Sequence, residues 1–162
     1  MTKIVLLLSI FLGLLATLVT PQITEAVVRS VGVKGKLLCG KQPAAGVKIR
    51  LFRTKKDDLK DMMDYKTTGA DGSFSLEGNT AGNPVDQQDL IATVRVYHNC
   101  DEDVKKAKGF RTFIMNIPKD FVTLGRIPRN IYDAGQLNLQ MIFPAEAREK
   151  KFKESAAKFF LF

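Results

Sequence analysis

The amino-acid sequence predicts an all-β domain: an antiparallel β-sandwich of about seven strands, with a short charged helix or loop and a C-terminal amphipathic helix. Three observations carry that prediction. Several runs alternate apolar and polar residues with the period of two that a half-buried strand requires. Gly, Pro and Asp-Gly turn signals separate those runs at short intervals. A chain of 162 residues, 45% hydrophobic and 26% charged, has the balance of one globular domain rather than of a disordered chain.

The first element lies outside the sandwich. Lys3 precedes an apolar stretch from Ile4 to Val19, short of the roughly 20 residues that span a membrane comfortably. Thr20 and Pro21 end it, and Thr24 and Ala26 put small residues where a signal peptidase inspects the chain. Residues 1–26 therefore read as a secretory signal peptide. The competing reading is an uncleaved anchor, which the short length and Pro21 disfavour. On the first reading residues 27–162 form a secreted, extracellular protein that has no transmembrane span and keeps the net charge of +8.

Residues 27–143 hold the predicted sandwich. Val31, Val33, Gly35, Leu37 and Cys39 alternate with their neighbours and stop at Gly40. Lys41, Gln42 and Pro43 turn the chain into a second strand, Val47 to Arg53, expected to pair antiparallel with the first. Lys55 to Asp64 lacks alternation and reads as a short charged helix or loop. Asp57, Asp61 and Asp64 would share a face of such a helix, an arrangement more typical of a solvated face than of a calcium site. Asp71-Gly72 predicts a tight hairpin, with Phe74 and Leu76 pointing inward. A polar connection from Asn79 to Gln88 leads into the strongest strand, Leu90 to His98. A lysine-rich loop comes next; Lys105 stands where an EF-hand would need an oxygen ligand. Phe110 to Ile117 is the next strand, ended by Pro118, and Arg126, Pro128 and Arg129 mark a loop. Ile131 to Met141 is the last strand. Residues 144–162 read as an amphipathic helical tail, because Pro144 suits a first turn and Phe152, Ala156 and Phe159 recur at helical spacing.

Cys39 and Cys100 both fall at strand ends. In an oxidising compartment two cysteines usually form one disulfide, the alternative being two free thiols. Their separation excludes a Cys-x-x-Cys redox pair.

The chain also resembles a known family. Val33-Lys34-Gly35-Lys36-Leu37-Leu38-Cys39, Pro43-Ala44-Ala45-Gly46-Val47, Asp71-Gly72-Ser73-Phe74, Tyr97-His98-Asn99-Cys100, Tyr132-Asp133-Ala134-Gly135-Gln136-Leu137-Asn138-Leu139 and Phe143-Pro144 are similar in order and spacing to motifs of the transthyretin-like family of secreted nematode proteins. That resemblance implies a transthyretin-like β-sandwich, an extracellular location and a non-enzymatic role. It also implies a second cysteine pair, which this sequence lacks.

For function, one histidine and two cysteines leave little for histidine catalysis or a tetrahedral zinc site, and no catalytic residue, metal or cofactor is expected. A hydroxyisourate hydrolase shares the transthyretin fold, but this chain has only His98 and ends Phe160-Leu161-Phe162, without the Tyr-Arg-Gly-Ser ending of that enzyme. His98 reads as a hydrogen-bonded structural residue, and Tyr97 and Tyr132 as core or half-buried ones. The basic excess points to anionic partners, and secretion disfavours nucleic acid. Lys105, Lys106, Lys108 and Arg111 are the candidate residues for binding an anionic surface. The partner would be a cell-surface receptor or an anionic phospholipid such as phosphatidylserine, which some family members are thought to bind in bridging dying cells to phagocytes. The bland alternative is that these charges only keep the protein soluble. A carrier or signalling protein for a small apolar ligand or a protein receptor is the other functional reading, and an oligomer is compatible with either. The tail could dock on the sandwich, enter a membrane interface, bind a partner or stay disordered.

Overall fold

A computed structural model describes residues 27–103 and 107–153. The signal-peptide segment, Lys105, Lys106 and residues 154–162 lie outside the described residues. The strands are β1 (Arg29–Cys39), β2 (Gln42–Pro43), β3 (Lys48–Phe52), β4 (Met62–Thr67), β5 (Ser73–Asn79), β6 (Thr93–His98), β7 (Phe110–Asn116), β8 (Thr123–Leu124), β9 (Ile131–Asn138) and β10 (Ala147–Glu149). Single turns of 3-10 helix at Leu59–Asp61, Val85–Gln87 and Lys119–Phe121 complete the list. No helix among the described residues is long and apolar enough to cross a membrane.

Two sheets face each other. In the first, β1 is the hub: it pairs with β5 and β2 along one edge and with β8 and β9 along the other. The second has the order β10-β7-β6-β3-β4. Alternation explains which side chains meet between the sheets. Val31, Val33 and Leu37 of β1 and Leu76 of β5 are fully buried against Ile49 and Leu51 of β3 and Val94 and Val96 of β6. Burying such side chains contributes roughly 1.5–3 kcal/mol each, which is what holds the two layers together.

Four details differ from the sequence reading. First, β1 and β3 do not pair. Each presents its apolar face to the shared core from the opposite side, so the turn at Ala44–Gly46 carries the chain between sheets instead of folding a hairpin. Second, the Asp71-Gly72 turn is also a crossing. β4 before it pairs with β3, and β5 after it pairs with β1. Third, one pairing is parallel: β9 runs beside β1 from Gly32↔Ile131 to Leu38↔Asn138. Parallel neighbours need a long connection, and here it passes through β6 and β7 of the other sheet before returning at the Arg29 end.

The fourth correction concerns the tail. Residues 147–149, placed in the amphipathic helix by the Pro144 signal, form β10 and pair antiparallel with β7. Phe143 stacks on Phe113 with ring centroids 3.8 Å apart, and Arg111 holds Glu146 at 2.5 Å. Those two contacts lead the chain along β7, whose edge N–H and C=O groups need partners. The charged stretch from Lys55 is a loop closed by one 3-10 turn, and strand β4 already begins at Met62.

Candidate functional site

Cys39 at the end of β1 and Cys100 just after β6 are joined in a disulfide across a sequence separation of 61. It ties the two sheets together at one end of the sandwich. With their sulfurs bonded to each other, the two cysteines do not offer metal ligands, although Asp101 lies beside them.

The basic loop begins at this bridge. Asn99 pins both of its ends: with its amide nitrogen turned toward the neighbouring carbonyls, it donates to the oxygens of His98 at 2.7 Å and Gly109 at 3.0 Å. Lys105 and Lys106 lie outside the described residues. Lys108 is exposed and makes no ion pair among the described residues; it lines a shallow depression with Glu102 and Arg148. Arg111 is placed differently. Its guanidinium grips Glu146 through two bonds, Nε to Oε1 at 2.5 Å and Nη2 to Oε2 at 3.0 Å, and reaches the carbonyls of Leu139 and Met141. Both side chains of that pair are about 15% exposed, so Arg111 fastens the β9–β10 connection rather than facing solvent. Its hydrogen bond holds the Glu146 carboxyl below the usual carboxylate range. Arg148 does the same to Glu102.

Beneath this loop lies His98, 2% exposed, with neither ring nitrogen hydrogen-bonded. Its structural role is packing, edge-on to Phe113, and the expected hydrogen bond is absent among the described residues. Burial, reinforced by the charge of Arg111, pushes its pKa down to about 4, so the ring is neutral at ordinary pH. Tyr97 is fully buried; burial, then Asp57, pushes its hydroxyl up to about 12. Tyr132 is half-buried against Phe121.

The three aspartates of the charged loop do not converge. Asp61 takes hydrogen bonds from Arg53 and Thr54, Asp64 accepts from the backbone of Tyr65 and Glu77, and Asp57 faces Arg95. Each carboxylate is committed to a different neighbour.

A second cationic surface, read from the sequence only as a loop, stands at the opposite end. Leu124 of β8 pairs with Arg29 and is 62% exposed; Ile127 at the following loop's tip is 77% exposed. Arg126 and Arg129 flank Ile127, both exposed, and neither makes an ion pair among the described residues. The loop itself is fixed. Gly125 N–H bonds the Val28 carbonyl at 2.8 Å, Asn79 reaches the Arg126 carbonyl at 3.0 Å, and Arg129 N–H reaches Thr123 Oγ1 at 3.2 Å. Arg29 nearby is paired to Asp89, and Asp86 and Asp120 are exposed carboxylates of the same end. Two exposed apolar side chains on this hydrogen-bonded loop are not explained by packing, and two exposed arginines stand beside them. The available signal was Ile127 itself, an apolar residue between Arg126 and Pro128 with no strand to belong to.

On the outer face of the first sheet, an open groove of about 710 Å³ is lined by Lys34, Lys36, Lys66, Ser73 and Ser75 among others. Its walls combine lysine stems and Phe74 with serine hydroxyls and Asp133.

Comparison with known proteins agrees with the fold. The family model described as TTR-52, transthyretin-like family, matches residues 34–118. Transthyretin-like protein 46 of Caenorhabditis elegans is 38% identical over 151 residues, covering 92% of this chain and 76% of that protein. Transthyretin-like protein 33 of the same organism is 36% identical over 128 residues, covering 78% and 85%. Transthyretin-like protein 5, also from Caenorhabditis elegans, is 34% identical over 123 residues, covering 75% and 84%.

Proposed function

The chain belongs to the transthyretin-like family, and from that premise we propose that it is a secreted, non-enzymatic extracellular binding protein that recognises anionic lipid on cell surfaces, such as phosphatidylserine. The single observation that carries the reading is the loop of Leu124, Arg126, Ile127 and Arg129, with its exposed apolar tips and unpaired guanidiniums. Each arginine near an anionic leaflet contributes about 1 kcal/mol, and each partly inserted apolar side chain about as much again. The sum, roughly 4 kcal/mol, corresponds to a Kd on the order of 1 mM per contact. Binding through this loop alone is therefore reversible, and firm attachment needs several copies on one surface, because Lys108 stands at the opposite end of the sandwich and cannot touch the same leaflet.

Flotation of the secreted protein with vesicles tests the proposal. Recovery on phosphatidylserine-containing vesicles, lost on pure phosphatidylcholine and reduced severalfold by Ile127→Ser or Arg126→Glu, is the expected result. Equal recovery on both vesicle types would sink the lipid reading. Lys108→Glu, compared in parallel, should leave recovery unchanged; a loss there in place of Ile127→Ser would move the contact to the other end of the sandwich.

A further inference from the structure

The outer face of the second sheet carries unusual charge for a covered surface. In register, Arg50 of β3 stands between Tyr65 of β4 and Arg95 of β6, with Lys48 beside Tyr97 in the next row. Arg50 is 3% exposed, and its Nε has no hydrogen-bond partner. The cover is the chain's own C-terminal segment. The Phe152 ring centroid lies 3.9 Å from Arg50 Cζ and 4.2 Å from Lys48 Nζ, edge-on to Tyr97 at 4.9 Å and to Phe110 at 5.6 Å. Arg50 Nη2 donates to the Lys153 carbonyl oxygen. Asp57 closes the far side, 3.6 Å from Arg95 Nε and 3.4 Å from the Tyr97 hydroxyl. Beside Arg50 opens a cavity of about 400 Å³ that Asp57, Asp58 and Glu149 also line. Phe152 and Lys153 thus occupy this face as a ligand would, with a ring stacked on the guanidinium and an oxygen accepting its N–H.

The connection to this plug is exposed. β10 ends at Glu149, and Lys150 and Lys151 both face solvent in a bend. Endoproteases that cut after paired basic residues need such a pair on a stretch outside regular structure. The other described pair, Lys55-Lys56, sits in a loop closed by the bonds of Arg53 and Thr54 to Asp61.

We infer that Lys150-Lys151 is a processing site, and that Phe152 and Lys153, which a cut there would release, are a removable plug over a latent site for a sulfated polysaccharide. Hydrolysis adds water across the Lys151–Phe152 peptide bond, leaving a carboxylate on Lys151 and an ammonium on Phe152. Once ring and carbonyl leave, Lys48 and Arg50, two positions apart on one face of β3, stand about 7 Å apart, close enough to share one sulfate group, while Arg95 stays with Asp57. Tyr65, Tyr97 and Phe110 supply ring faces on which a sugar can stack. The inference rests on the extracellular location proposed above but not on the lipid reading, which concerns another surface.

Two measurements test it on the full chain. The intact mass of protein secreted by expressing cells should reveal a species ending at Lys151, absent from the Lys150→Gln/Lys151→Gln variant; secretion of only the uncut chain overturns the processing site. On immobilised heparin, Phe152→Ala should bind about tenfold more tightly than the parent, with inorganic sulfate a weak competitor, and adding Arg50→Gln should abolish the gain. Unchanged binding by a Phe152→Ala protein that keeps its cooperative melt, or a gain that survives Arg50→Gln, overturns the latent site. Neither result depends on vesicle binding, so failure here and failure of the lipid proposal are distinguishable.

Discussion

His98 shows how much one side chain can contribute at the residue scale. It is buried neutral, with a pKa lowered to about 4 from an ordinary value of 6.5, so the unfolded chain takes up a proton that the folded chain refuses. Stability from this residue is therefore complete above about pH 6.5 and is lost as pH falls toward 4. The loss is on the order of 3 kcal/mol. Thermal melts of the parent should fall across that window, and those of His98→Leu should be flatter; identical slopes would refute the assignment. Arg111 makes a second case. Removing it leaves Glu146 with the Phe143 N–H but no cation and takes a donor from the Leu139 and Met141 carbonyls, so Arg111→Met should cost about 2–3 kcal/mol in denaturant unfolding. A change under half a kcal/mol would mean that water replaces the guanidinium without loss.

At the scale of elements, the Asp71-Gly72 turn combines what was legible with what was not. The dipeptide announces a turn, and Asp71 makes one by accepting from Ser73 N–H at 3.0 Å and Ser73 Oγ at 2.7 Å. Gly72 has φ +77°, and a Cβ there would press on the Leu37 carbonyl oxygen, so Gly72→Ala should destabilise by roughly 2 kcal/mol or more, read as a lowered denaturant midpoint. A midpoint within error of the parent would show that the turn relaxes. Which strands the turn joins was not legible, because alternation marks an inward face without saying which sheet supplies it. The same limit hid the β1–β9 pairing and left Leu124 unremarked, since nothing local says which side of a two-residue strand stays uncovered. β10 was misread for another reason. Pro144 and the spacing of Phe152, Ala156 and Phe159 suit a helix, but the open edge of β7 and the pull of Arg111 on Glu146 are non-local and outweigh a weak propensity.

At the scale of the whole molecule, the bridge between Cys39 and Cys100 is the covalent tie between the layers. Closing a loop across a separation of 61 residues stabilises the fold by about 4 kcal/mol in the chain-entropy view. Cys39→Ala/Cys100→Ala should unfold at correspondingly lower denaturant, and reduction of the parent should reproduce the shift. If the double variant melts with the parent, the packing between the sheets alone sets the stability. The cysteine pairing and most of the longer strands could be read in the sequence, since each depends on local pattern or simple counting; the start of β4 was hidden in the charged stretch before Tyr65. The candidate surfaces could not. Lys108 and Arg111 are three positions apart, yet one faces water and the other is an internal clamp.

The parallel partnership of β1 and β9 sets an order of events. During synthesis the chain emerges from its N-terminus, so β1 is complete when about a quarter of the sequence exists, while β9, one of its two long neighbours, leaves the ribosome near the end. Cys100 is available well before that. The bridge can therefore close while one edge of β1 is still bare, and the first sheet is finished last, by the insertion of a late strand beside the earliest one. Until then that edge is open to any passing chain, and the interval between oxidation at Cys100 and arrival of Ile131 is when this protein is most exposed to misassembly.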